Sequence, residues 1–356
     1  MSTDSEEISL GLLVAAGAAS FAPAAPEPHW TAAHRVVAGF VGAETLRRDL
    51  ECVEHTLRGA FNGASAMFAD AMRAVAMPGK RLRPLLVLAC GYAGAGPVGE
   101  RLIRAAAAVE LLHLGSLVHD DVMDESDLRH GAPSINERWG NLTAVLVGDV
   151  LLSESVDMAA DLGAEQAKLI TATLRTLCDG QARESASQYS VDRDEQAYLH
   201  SIAGKTARLI AASCRLGAIE TGLSRPAVDA LETFGHHLGM AFQIVDDVLD
   251  LTTSTEQLGK PAGRDIVQGV YALPVIHAIR QTPRLADYLG RVPTEVELDD
   301  ALRLVRSGTG IGLASRLAEQ HTESACLAVE SCAGELDEAA VAMLRALAMG
   351  VLERRR

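Results

Sequence analysis

Two short acidic runs constrain this chain more than anything else in it. Asp120-Asp121-Val122-Met123-Asp124 closes an apolar stretch that starts near Arg101, and Asp246-Asp247-Val248-Leu249-Asp250 repeats the arrangement further on. Each is an Asp-Asp-x-x-Asp cluster set in helix-forming sequence. Residues i and i+4 share a helix face, so Asp120 points with Asp124 and Asp246 with Asp250. Carboxylates this close repel one another and are costly to bury. A single cluster is explained by a solvated helix end. Two of them, each ending an apolar helix, ask for a cation. Oxygen ligands without a nearby His or Cys pattern suit Mg2+, which keeps several waters and is completed by substrate phosphates.

The surrounding sequence predicts an all-α chain. Apolar residues at helical spacing run from Glu44 onward, strand-type alternation is nearly absent, and 356 residues at 48% hydrophobic content are ample for a large core. Residues 1–42 are rich in Ala, Pro and Gly without a period, and are read as a flexible N-terminal arm. Residues 43–356 are read as one helical domain. The apolar stretch from Ile8 to Ala25 follows Asp4, Glu6 and Glu7 and contains Gly and Pro. It is therefore expected to be neither a signal peptide nor a membrane span. A net charge of −15 argues against nucleic acid as a partner. Six cysteines without a CxxC pair fit reduced thiols in a cytoplasmic protein.

Basic loops accompany the acidic helices. In Pro78-Gly79-Lys80-Arg81-Leu82-Arg83-Pro84 the break puts three cations at the start of an apolar helix, which makes an anion site. His113 lies one heptad before Asp120 and can donate to a phosphate. Arg129 and His130 lie on the Gly-x-Pro loop after the first cluster and can close over one. Gly204-Lys205-Thr206 interrupts a helix without the lead-in of a P-loop, and there a lysine can still reach into a cavity. Lys260 and Arg264 follow the second cluster.

With these residues in place, the chain resembles the head-to-tail isoprenyl diphosphate synthases, the polyprenyl synthetase family, and in particular its bacterial medium- to long-chain members. The resemblance runs from about Glu44 to the C-terminus. It rests on Gly-Lys-Arg-x-Arg-Pro, His-x-x-x-Leu-x-His-Asp-Asp-x-x-Asp, Arg-x-Gly-x-Pro, Gly-Lys-Thr, Phe-Gln-x-x-Asp-Asp-x-x-Asp and Gly-Lys-x-x-Gly-x-Asp, in that order. It implies an isoprenoid synthase-type bundle of about ten or more helices around a deep central apolar cavity, usually a homodimer. It also implies Mg2+-dependent condensation of isopentenyl diphosphate onto an allylic diphosphate, with about three ions per site.

By the same resemblance, Asp120, Asp124 and Asp246 bind the metal, and Asp121, Asp247 and Asp250 support its shell. Arg129, Lys205 and Gln243 serve the allylic diphosphate, with Thr206 and Lys260 beside them. Lys80, Arg83 and His113 grip isopentenyl diphosphate. His130 stands where the family usually has a second arginine, which thins the charge at the isopentenyl site. Val270 stands where a lysine is common and removes one allylic-site cation. In short-chain relatives an aromatic side chain floors the cavity five or four residues before the first cluster. Gly115 and Ser116 stand there and leave it open, which predicts a product longer than C15, roughly C30–C50 with C20 allowed. A peripheral membrane contact for product release is compatible with such a product.

Two other functions compete. A family-derived class I terpene cyclase would keep the metal clusters and abandon isopentenyl binding, but it has no use for Lys80, Arg83 and His113. A non-catalytic subunit of a hetero-oligomeric synthase would be expected to lose aspartates that are intact here.

Overall fold

A computed structural model describes residues 30–61, 68–75, 79–94, 98–129, 131–252 and 262–353. Its N-terminal half holds α1 (Ala32–Val41), α2 (Ala43–Gly59), α3 (Ala69–Val75), α4 (Leu82–Tyr92), α5 (Glu100–Met123), α6 (Ile135–Trp139), α7 (Asn141–Leu162) and α8 (Ala164–Ala186). Then come α9 (Glu195–Ile202), a π-helical turn (Ala203–Ala207), α10 (Arg208–Glu220), α11 (Arg225–Thr252), α12 (Arg264–Val267), α13 (Leu273–Gln281), a 3-10 turn (Pro283–Asp287), α14 (Glu295–Ser307), α15 (Gly310–Ser331) and α16 (Glu338–Glu353). The strands among the described residues are β1 (Leu128–Arg129) and β2 (Ala132–Pro133), an antiparallel pair pairing Arg129 with Ala132.

The helices start where the sequence supplies caps. The Ser134 hydroxyl accepts from the Glu137 N–H at α6, and the Asp194 carboxylate accepts from the Ala197 N–H at α9. Thr294 and Glu297 form a reciprocal capping box at α14. Packing then selects the centre. Ala105 to Val109, Leu111 and Leu112 of α5 have no exposed surface, because the helix is apolar nearly all round and meets α2, α4, α7 and α10. By length and composition α5 could cross a bilayer, but 72% of its apolar window is buried inside the bundle. The second long helix, α11, packs on α10 and α15. Both acidic clusters thus end long core helices.

Residues 32–41 fall within the stretch read as a flexible arm, and here they form α1. His34 and Val37 are buried and the helix packs on α2 and α16. The prolines that argued against helix there, at 23, 26 and 28, precede it and lie outside the described residues.

Candidate active site

The two clusters face a shared set of side chains. Asp120, Asp121 and Asp124 end α5, and Asp246, Asp247 and Asp250 end α11. Between them stand Glu184 of α8 and Lys205 of the π turn. The Lys205 ammonium donates to Glu184 Oε1 at 2.6 Å. Burial alone would lower its pKa, but Glu184, Asp120 and Asp124 outweigh burial and the net shift is upward. Lys205 is therefore a fixed cation aimed at the first cluster. The π turn puts it there: the wide turn needs Gly204, whose Cβ would lie 3.0 Å from the Cα of Gly180 on α8. Such turns recur at functional sites.

Burial pushes the carboxyl groups of Asp120, Asp124, Asp250 and Asp265 above the usual range. Lys205 opposes this at Asp120 and Asp124, while the Asp250 charge adds to it at Asp265. Asp247 is pushed up to about 7, again first by burial. Two donors work against that: Tyr198 Oη at 2.6 Å from Asp247 Oδ2 and Gln243 Nε2 at 2.8 Å from Oδ1. Gln243 in turn accepts from the Thr206 hydroxyl at 2.7 Å. The chain Thr206–Gln243–Asp247–Tyr198 thus ties the π turn to α11. Arg193 lies over the Tyr198 ring, 5.7 Å from its centroid, and donates to the Tyr271 carbonyl. On the α5 side, Arg129 Nε donates to both oxygens of buried Asp121, at 2.9 and 3.2 Å.

Acidic groups outnumber the cations that face them, and burial shifts the pKa of several upward. A hard cation would relieve that repulsion and favour the charged forms. Among the described residues no three His, Cys, Asp or Glu side chains form a ready-made metal group. A hard divalent ion can complete such a carboxylate set with water and substrate oxygen. The donor set fits a divalent ion shared with a diphosphate.

Of the residues expected to grip isopentenyl diphosphate, Lys80 is exposed just before α4, Arg83 is half-buried in its first turn, and His113 is half-buried on α5. Arg83 Nε is buried and has no hydrogen-bond partner among the described residues, and burial lowers the guanidinium's pKa against the pull of Glu110. Gly115 is buried against α7: an added Cβ would lie 2.9 Å from Leu152 Cδ2 and 3.2 Å from the Gly148 carbonyl. Ser116 is half-buried and donates to the His113 carbonyl at 2.8 Å. His130 and Lys260 lie outside the described residues.

Sequence reasoning did not select Glu184, Tyr198 or Arg193, and it counted Arg81 among the three cations of an anion site, whereas its guanidinium is held by Glu54 and Glu110. Glu184 carried no signal, since nothing in the sequence sets it apart from the other acidic residues of α8. Tyr198 and Arg193 carried none, since their partners are 49 and 78 residues away in sequence.

The polyprenyl synthetase family profile matches residues 65–304. Heptaprenyl diphosphate synthase component 2 of Geobacillus stearothermophilus is 43% identical over 236 residues, spanning 66% of this chain and 73% of that protein. Nonaprenyl diphosphate synthase of Mycobacterium tuberculosis is 36% identical over 292 residues, spanning 80% and 87%. Among solved structures, polyprenyl synthase from Caulobacter crescentus, complexed with calcium and isoprenyl diphosphate, superposes with a TM-score of 0.81. It is 29% identical and covers 93% of this chain and 100% of that one. The chain belongs to the polyprenyl synthetase family and is a prenyltransferase.

Proposed function

We propose that the enzyme condenses isopentenyl diphosphate head to tail onto an allylic diphosphate and makes a product in the C30–C50 range, roughly the size at which its named relatives work. The observation that carries this is the convergence of Lys205, Glu184 and both aspartate clusters at the end of the apolar α5. Asp120, Asp124 and Asp246 would hold Mg2+, which supplies charge neutralisation for the leaving diphosphate.

The protein's own groups do the rest. Lys205 and Arg129 meet the allylic diphosphate and stabilise charge as its C–O bond breaks. Gln243, fixed by Thr206 and Asp247, presents its amide at the same place. Lys80, Arg83 and His113 orient isopentenyl diphosphate so that its double bond attacks the allylic C1. A new C–C bond forms, diphosphate departs, and the proton lost from the isopentenyl C2 goes to that diphosphate. The buried apolar wall of α5 keeps water from the carbocation.

The working form is proposed to be a cytoplasmic homodimer. A second reading is favoured by one observation: the 43% identical relative is named component 2, so the chain could depend on a partner subunit.

The test is purified protein with Mg2+, labelled isopentenyl diphosphate and C10, C15 or C20 allylic primers, with products sized after dephosphorylation. A ladder ending in the C30–C50 range is expected, and turnover by this chain alone removes the need for a partner. Allylic consumption without isopentenyl uptake would overturn the proposal in favour of a cyclase.

A further inference from the structure

Arg81 stands between the two cations assigned to isopentenyl diphosphate, yet its side chain is spent elsewhere. It is 8% exposed and has a left-handed backbone, φ 44° and ψ 38°, a conformation that costs a non-glycine residue energy. Its Nε donates to Glu54 Oε1 at 2.5 Å and its Nη2 to Glu54 Oε2 at 3.3 Å, from α2. Its Nη1 donates to Glu110 Oε1 at 2.9 Å, from α5. The loop is thus clamped to two helices by one guanidinium.

Glu110 is the significant partner. It is buried, one turn before His113 on the same α5 face, and it is the carboxylate whose charge reaches Arg83. Arg83 Nε has no hydrogen-bond partner among the described residues. An arginine beside a buried carboxylate would normally take it as a bidentate partner. Here Arg81 occupies that carboxylate, and Arg83 keeps donor capacity for an external anion.

We infer that Arg81 is a positioning residue of the second substrate's diphosphate site: by holding Glu110 and Glu54 it prevents Glu110 from capturing Arg83 and fixes the turn that bears Lys80. The inference rests on the isopentenyl grip proposed above. It does not require Arg81 to touch substrate.

The experiment is steady-state kinetics on wild type, Arg81→Met, Glu110→Gln and the double variant, with folding checked by circular dichroism. Arg81→Met is expected to raise the isopentenyl KM about tenfold, the scale of one charge-assisted contact, while the allylic KM and kcat change little. In the double variant no carboxylate remains at position 110 to take Arg83, so most of that loss should be recovered. A general structural lesion would move both KM values and kcat together and would not be rescued by a second change. Equal effects on the two substrates, or no rescue, overturn the inference alone. Absence of isopentenyl uptake by wild type overturns the proposed function and the inference with it. Should Arg81→Met not fold, Arg81→Lys decides: an ammonium cannot bridge Glu54 and Glu110 as the guanidinium does, so a raised isopentenyl KM with an unchanged allylic KM supports the inference, and no change or an equal rise in both overturns it.

Discussion

At the scale of single residues, the cations of the proposed chemistry are set by carboxylate neighbours: Glu184 accepts from the Lys205 ammonium, and Glu110 beside Arg83 is taken by Arg81. Asp120, Asp124, Lys205 and Arg83 stand out in sequence because apolar helices do not carry such charges without a use. Glu184 looks like any surface glutamate until α8 is folded against the π turn. Gly115 and Ser116 make the same point for product size. Sequence alone makes both open cavity positions, but the space beside Gly115 is filled by Leu152 of α7, with the Gly148 carbonyl behind it. The two sites should therefore respond differently to a large side chain. Ser116→Phe is expected to fold and to shorten the product by one or more five-carbon units. Gly115→Phe should collide with α7 and cost about 1–3 kcal/mol or more of stability, the usual penalty of overpacking. Product chromatography paired with denaturant unfolding separates the two effects. Equal stability of the variants would show that α7 yields easily at Leu152.

At the scale of elements, helical periodicity reads the apolar stretch from near Arg101 to the first cluster as one helix, and α5 is that helix, since burial of a continuous apolar surface sets both pattern and length. It did not find α1, whose sequence is short and Ala-rich and which becomes a helix by packing on α2 and α16. The interruption at Gly204-Lys205-Thr206 was visible, but its π geometry was not, because that depends on how closely α8 approaches. A Cβ at Gly180 would sit 2.6 Å from the Lys205 backbone nitrogen and 2.9 Å from the Gly204 carbonyl carbon. Those atoms are backbone and cannot swing aside. Gly180→Ala is thus expected to push the π turn off α8, lose about 1–3 kcal/mol of stability, and lower kcat by moving the Lys205 ammonium. Unfolding curves and kcat measured on the same preparation test this. A stable variant with unimpaired kcat would mean that the close approach is dispensable for the site.

At the scale of the whole molecule, the question is what covers α7. Its inner side meets α5, and at their junction the His119 ring lies 3.1 Å from the Val145 carbonyl and 3.6 Å from Asp149. Its outer side begins with Leu142, Val145 and Leu146 at exposures of 76%, 40% and 39%. These residues fall at i, i+3 and i+4, one stripe of one helix. Nearby in the chain, Met123 and Leu128 are 54% and 57% exposed, flanking the first acidic cluster. Isolated exposed apolar side chains need no explanation, but a helical stripe of them suits the homodimer contact proposed above. A two-fold copy is the simplest occupant, because such an interface pairs the same stripe with itself. Because α7 packs on α5, such a contact would also brace the helix that ends in Asp120 to Asp124. The double change Leu142→Glu with Leu146→Glu would put four carboxylates across that two-fold seam. It is expected to convert a dimer to a monomer in light-scattering chromatography, with the helical circular dichroism retained. Activity should fall along with the dimer, since the end of α5 loses its support. A wild type that is monomeric at micromolar concentration, or a variant that remains dimeric, would locate the contact elsewhere and leave the α7 stripe to a different subunit.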